Sequence, residues 1–194
     1  NELAAWLRLL LTPGLGRTGA RQLLARFGLP EAVWEASEPQ WAQLLGPALA
    51  AAMAKGVDGF DATLEAHERW LAEGDDRHLI TLADPRYPAE LLQTADPPLV
   101  LFLHGRLDAL AHPQRVAVVG SRNPTPQGAD NARAFAHALA RSGLSIVSGL
   151  ALGVDGAAHN GALTAGGFTL AVVGTGLDRV YPSRHRALAH RIVA

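Results

Sequence analysis

The sequence contains no cysteine, which excludes a disulfide framework, a thiolate metal site and thiol catalysis. It has a single lysine, Lys55, and none follows a glycine-rich turn, so there is no P-loop for nucleoside triphosphates. No apolar run approaches the ~20 residues of a membrane-spanning helix. No basic-apolar leader opens the chain, and a soluble cytoplasmic protein is the expectation. No G-x-G-x-x-G follows the run at Val116, and the run at Ser145 ends in Ser148 rather than an acid, which counts against NAD. Ser121 and Ser148 stand outside any G-x-S-x-G elbow. Beyond Asp155 and His159, no carboxylate or histidine has metal-ligand spacing, so neither a metal nor a cofactor is expected.

The chain has 194 residues and is 48% apolar, enough for one large domain or two small ones with a real core. Its formal net charge of −1 is unevenly spread. Residues 1–75 carry Lys55 and five arginines against ten acids, a net of −4. Residues 76–194 carry eleven arginines against eight acids, a net of +3. A basic half suits an anionic partner. Arginine-rich codon usage would give the same excess.

Leu3, Trp6, Leu7, Leu10 and Leu11 recur at helical spacing and predict a helix over residues 2–11. Thr12-Pro13-Gly14-Leu15-Gly16 breaks it, and a second helix runs to Gly28. This string resembles a helix-hairpin-helix, in which Gly14 and Gly16 expose amides to a nucleic-acid phosphate and Arg17 adds charge. A helical hairpin that only packs has the same pattern. Short helices are expected over 31–36, 39–55 and 58–73, with Trp6, Trp34, Trp41 and Trp70 as core. Residues 1–75 thus read as a small all-helical domain, bounded by Gly74-Asp75-Asp76, and 76–194 as a second domain. Strands are expected at 78–82 and 99–103, with a short helix over 89–93 between them.

The chain is organised around Val116 to Gly176. Three β-branched apolar runs, Val116–Val119, Ser145–Val147 and Thr169–Val173, each end in a glycine turn. The turns are Gly120-Ser121-Arg122, Ser148 to Gly153, and Gly174-Thr175-Gly176. Apolar runs separated by helical segments signal parallel strands buried on both faces, an α/β fold. Thr125 and Pro126 suit the start of the first helix, Asp155 the cap of the second, and Ser183 the cap of the last. Ligands of such sheets bind at the carboxyl ends of the strands, where all three turns must lie. Backbone amides there offer a site for a phosphate or another anion. His159 follows Asp155 by one helical turn, as a metal or acid–base pair would, or as a capping Asp with a stabilising His.

The strings VAVVGSRNPT, SGLALGVDGAAHNGAL and VVGTGLDRVYP together resemble the DNA-processing protein A family, also called Smf. DPRYPAELLQTADPPLVLFLHG resembles that family's entry into its Rossmann-like domain, and the helices before it resemble a SAM-like or helix-hairpin-helix leader. The resemblance implies a non-enzymatic, homodimeric protein that binds single-stranded DNA, protects it and loads the RecA recombinase in natural transformation and competence. It implies DNA contacts at Gly120, Ser121 and Arg122, with the arginine on a phosphate, and along Ser148, Gly149, Leu150 and Gly153. The third turn, Gly174, Thr175 and Gly176, completes the set. Leu152 stands where the family usually has arginine, which removes one positive charge. The family's sheet continues beyond these strands, so the sequence is expected to be part of a longer chain.

Two other readings remain in play. Nucleoside-monophosphate phosphoribohydrolases share a glycine turn of this kind, but carry P-G-G-x-G-T and a downstream glutamate. The turn at Gly174 lacks that string, and no glutamate follows Glu90. A nucleotide-sensing module of the Rossmann group is the third reading.

Overall fold

A computed structural model describes residues 1–194. Helix α1 (Glu2–Leu11) buries Leu3, Ala5, Trp6, Leu7 and Leu9. Leu10 and Leu11, expected on this face, are each 38% exposed, and Leu9 takes the core position. The helix stops at Thr12, whose amide and hydroxyl both donate to the Arg8 carbonyl oxygen. Helices α2 (Gly16–Phe27) and α3 (Pro30–Glu35) follow. The single helix expected over 39–55 is two, α4 (Glu38–Leu45) and α5 (Pro47–Lys55). Gly46, at φ +87°, turns the chain, and Pro47 has no amide to continue the ladder. Helix α6 (Phe60–Ala72) closes the set.

Residues 74–76 link α6 to β1 (Arg77–Thr81), which pairs with β2 (Val100–His104); the short α7 (Ala89–Leu92) lies between them. Trp6, Leu9, Leu15, Leu23, Val33, Trp41 and Met53 form one core, and Leu82, Leu99 and Val100 pack into it. Leu79 and Phe102 pack likewise beside Leu3, Leu7 and Phe60. The strand pair is held by these helices, and the chain divides into two compact units, Asn1–Phe102 and Leu103–Ala194.

The second unit contains α8 (Leu107–Ala111), β3 (Arg115–Ala117), α9 (Pro126–Arg141), β4 (Ser145–Ser148), α10 (Val154–Thr164) and β5 (Thr169–Ala171). A 3-10 turn, Ser183–His185, runs into α11 (Arg186–Val193). The strands form one parallel sheet in the order β3-β4-β5, with Val116 beside Ile146 and Ile146 beside Thr169. Only central β4 is buried on both faces; β3 and β5 are edges and partly exposed. Both edge strands are shorter than expected, and Val119 and Val172 are 72% and 68% exposed. Ile146 packs among Ala136 and Ala140 of α9 and Ala158 and Ala162 of α10. Gly161 lies against the Arg133 carbonyl oxygen, and a Cβ there would also come 3.1 Å from Ala136 Cβ. The two helices therefore meet backbone to backbone. Thr125 caps α9 as expected, its hydroxyl accepting from the Gly128 amide at 3.1 Å, and Pro126 opens the helix. No helix is long and apolar enough to cross a membrane.

Candidate functional site

The first two turns are built against each other. Gly153 precedes α10 at φ +82°, a conformation that L side chains rarely adopt. A Cβ there would strike the Ser121 carbonyl oxygen and sit 2.7 Å from Pro124 Cδ and 2.8 Å from the Arg122 carbonyl carbon. The Ser121 carbonyl oxygen accepts from the Val154 amide at 3.1 Å, satisfying the first donor of α10. Ser121 Oγ accepts from the Asn123 amide at 3.0 Å, which leaves its own O–H free to donate outward. Arg122 is exposed and makes no ion pair with Asp155.

Asp155 does not cap α10. It lies in the first turn of the helix, because Gly153 already ends the loop two residues earlier. Its carboxylate, 7% exposed, accepts from the amides of Gly149 at 3.1 Å and Ala151 at 3.3 Å. Those two amides are therefore engaged within the protein. The hydroxyl of Ser148 is engaged too, donating to the Val118 carbonyl oxygen at 2.6 Å from a side chain 3% exposed. Leu150 is 4% exposed and has φ +62°, the one non-glycine residue with positive φ. Its carbonyl oxygen faces His185 Nδ1 at 2.8 Å. A carbonyl can only accept, so Nδ1 carries the proton. The His185 ring lies on Gly156, where a Cβ would come 2.6 Å from Cε1. Sequence reasoning missed this tie: the residues are 35 positions apart, and nothing in the string marks Leu150 as left-handed.

The third turn leaves the same end of the sheet. The Val172 amide donates to the Ser148 carbonyl oxygen at 2.8 Å, and Gly174, Thr175 and Gly176 are exposed. Gly120, Ser121, Arg122 and Gly149 are exposed as well. Of the residues expected at the site, Ser148 and Leu150 are thus internal supports, while the others present surface or shape the turns.

In the first unit, Gly14 and Gly16 have φ +77° and +61°, and buried Leu15 lies between them. Arg17 pairs with Asp96 at 2.5 Å, and Arg21 binds the same carboxylate. The Arg21 hydrogen bond is the main cause that holds the Asp96 carboxyl below its usual range. Arg17 and Arg21 share the single negative charge of Asp96, so the guanidinium expected to face a phosphate is already engaged within the protein.

His159 is fully buried. Its Nδ1 lies 2.7 Å from Thr169 Oγ1, whose own proton goes to the Ile146 carbonyl oxygen at 2.9 Å. The Thr169 hydroxyl must therefore accept from His159, which fixes the Nδ1–H tautomer. Nε2 is left as a buried acceptor without a partner. Burial pushes the imidazole down to about 4, against the opposing pull of Asp155. No group of three or more metal-ligating side chains occurs. Asp155 braces a loop and His159 ties α10 to β5.

Three comparisons bear on this geometry. Protein Smf of Synechocystis is 35% identical over the whole chain, which spans 49% of that protein. The chain is thus about half the length of this curated relative. The crystal structure of DNA processing protein A from Streptococcus pneumoniae superposes with a TM-score of 0.77 at 33% identity, covering 98% of this chain and 64% of that one. A structure of DNA processing protein A from Helicobacter pylori, described for its single-stranded DNA binding mode, gives 0.53 at 34% identity over 60% of this chain and 52% of that one. Residues 78–194 match the family model of DNA recombination-mediator protein A, and the chain belongs to that family.

Proposed function

We propose that this chain is the single-stranded DNA-binding part of a recombination mediator, with residues 76–194 as the Rossmann-like binding domain and 1–75 as an accessory SAM-like domain. The observation that carries the reading is the interlock of the first two turns: Gly153 lies under Ser121 and Arg122, and Arg122 stays exposed and clear of Asp155. A guanidinium held by a rigid turn, beside a free serine hydroxyl, suits a phosphate oxygen. Gly120, Gly149, Gly153 and the Gly174–Gly176 turn let a backbone-tracking strand approach closely. Such binding tolerates any base sequence. The Helicobacter protein's single-stranded DNA binding supports the same class of ligand. In the whole protein we assign the DNA-bound state to protection of incoming strands and to RecA loading in the cytoplasm during natural transformation, by a homodimer and without catalysis.

The test is fluorescence polarisation with a labelled thymidine oligonucleotide against its duplex, with AMP hydrolysis assayed in parallel. Single-stranded DNA should be preferred, with log affinity falling by about 0.7 per phosphate neutralised for each log unit of salt. Salt-independent binding, a duplex preference or AMP turnover would overturn the reading.

A further inference from the structure

A cavity lies wholly within the first unit. It is an open cleft of about 550 Å³ among α1, α3, α4, α5 and the start of α6. Ligand pockets commonly hold roughly 300–1,000 Å³. Its lining combines two kinds of side chain. Trp34, Trp41, Met53 and Phe60 supply ring and thioether surface, and Arg8 and Lys55 supply positive charge.

The cations are placed for an outside partner. The Arg8 guanidinium stands 5.1 Å from the Phe60 ring centre and 6.0 Å from that of Trp34. Such cation–ring contacts consume none of its N–H groups, and no carboxylate pairs with it. Lys55 touches only Asp58, at 3.4 Å, with both side chains largely exposed. Asp61 is the one acid of the lining. The Trp34 ring is itself fixed, donating Nε1–H to the Ala5 carbonyl oxygen at 3.0 Å and meeting Trp41 edge-on at 5.8 Å.

We infer that this cavity binds one nucleotide unit, the base against Trp34 and the phosphate on Arg8 and Lys55. Fixed aromatic surface beside an unpaired guanidinium matches a ligand with one planar face and one anionic group. A bare anion would leave the rings unused, and an apolar ligand would make no use of the two cations. The cavity belongs to the first unit and the turns to the second, so either reading can fail without the other.

The test is tryptophan fluorescence of the full chain titrated with thymidine 5′-monophosphate. Saturable quenching is expected, with Arg8→Gln and Lys55→Glu each weakening it about tenfold and Arg122→Ala leaving it unchanged. Lys55 is exposed and outside the core, so its variant keeps the test valid if Arg8→Gln fails to fold. Thymidine without its phosphate should bind much more weakly. In an Arg122→Ala background, competition by a 5′-phosphorylated thymidine tetranucleotide assigns the source to a strand end; saturation by the mononucleotide without such competition assigns it to the free nucleotide. No saturable quenching, indifference to Arg8→Gln and Lys55→Glu, or equal affinity for inorganic phosphate would overturn the inference.

Discussion

His185 donates Nδ1–H to the Leu150 carbonyl oxygen at 2.8 Å, and so closes the second turn from outside. Leu150 is held left-handed by that bond and by burial of its side chain. His185→Ala should weaken single-stranded DNA binding about fivefold, the equivalent of one net hydrogen bond of about 1 kcal/mol. His185→Asn keeps a donor and should restore part of the loss. Gly156→Ala puts a Cβ 2.6 Å from His185 Cε1 and should reproduce the alanine phenotype. Polarisation assays on the three variants decide it; unchanged affinity in all three would remove His185 from the site.

Arg122→Ala should cost about tenfold or more in DNA affinity, since charge-assisted bonds are worth roughly 1.5–3 kcal/mol each. The salt slope should become shallower. The melting temperature should not move, because the side chain is exposed and unpaired with Asp155. Lysine should rescue only partly, as it lacks the planar fork. A lower melting temperature with unchanged affinity would make Arg122 structural.

Arg17→Ala should change DNA affinity less than twofold, roughly within 0.4 kcal/mol. Its guanidinium is already bound to Asp96, beside that of Arg21. A tenfold loss in the polarisation assay would instead make the Gly14–Gly16 hairpin a principal grip.

The buried imidazole of His159 predicts an acid-sensitive fold. Its pKa falls from the ordinary 6.5 to about 4 in the folded chain, chiefly by burial. Between those values the unfolded chain binds a proton that the native one refuses, so stability drops as pH falls through 6.5 toward 4. The loss should total about 3 kcal/mol at about 1.4 kcal/mol per unit. Urea melts of the parent and of His159→Leu across this window should differ in slope, with the variant flatter. Parallel slopes would show that another group governs the acid limb.

Much of this was legible in the residues. Thr125-Pro126 announced α9, and three apolar runs ending in glycine announced the sheet and its turns. The break between α4 and α5 was written in Gly46-Pro47 and should have outweighed the continuous apolar pattern. The role of Asp155 was harder to read, because a capping residue and a loop brace share the same preference for short carboxylates. The engagement of the Gly149 and Ala151 amides, and the tie between His185 and Leu150, follow from spatial neighbours that no local spacing records. Trp6 and Trp41 are core residues as expected, whereas Trp34 and Trp70 are only half-buried, and the cavity beside Trp34 depends on how five helices converge.

Gly161 lies against the Arg133 carbonyl oxygen, and the buried residues around that contact on α9 and α10 are alanines, which have no rotamers to adjust. Rotamer changes therefore cannot absorb a displacement of either helix, and the pair must open together or not at all. In amide hydrogen exchange, α9, α10 and β4 should behave as one cooperative block, with protection lost at a common free energy. The second turn is anchored to that block through Asp155, so a strand lying across the turns would meet a surface already at its bound shape. Most of the ordering entropy on binding would then fall on the DNA.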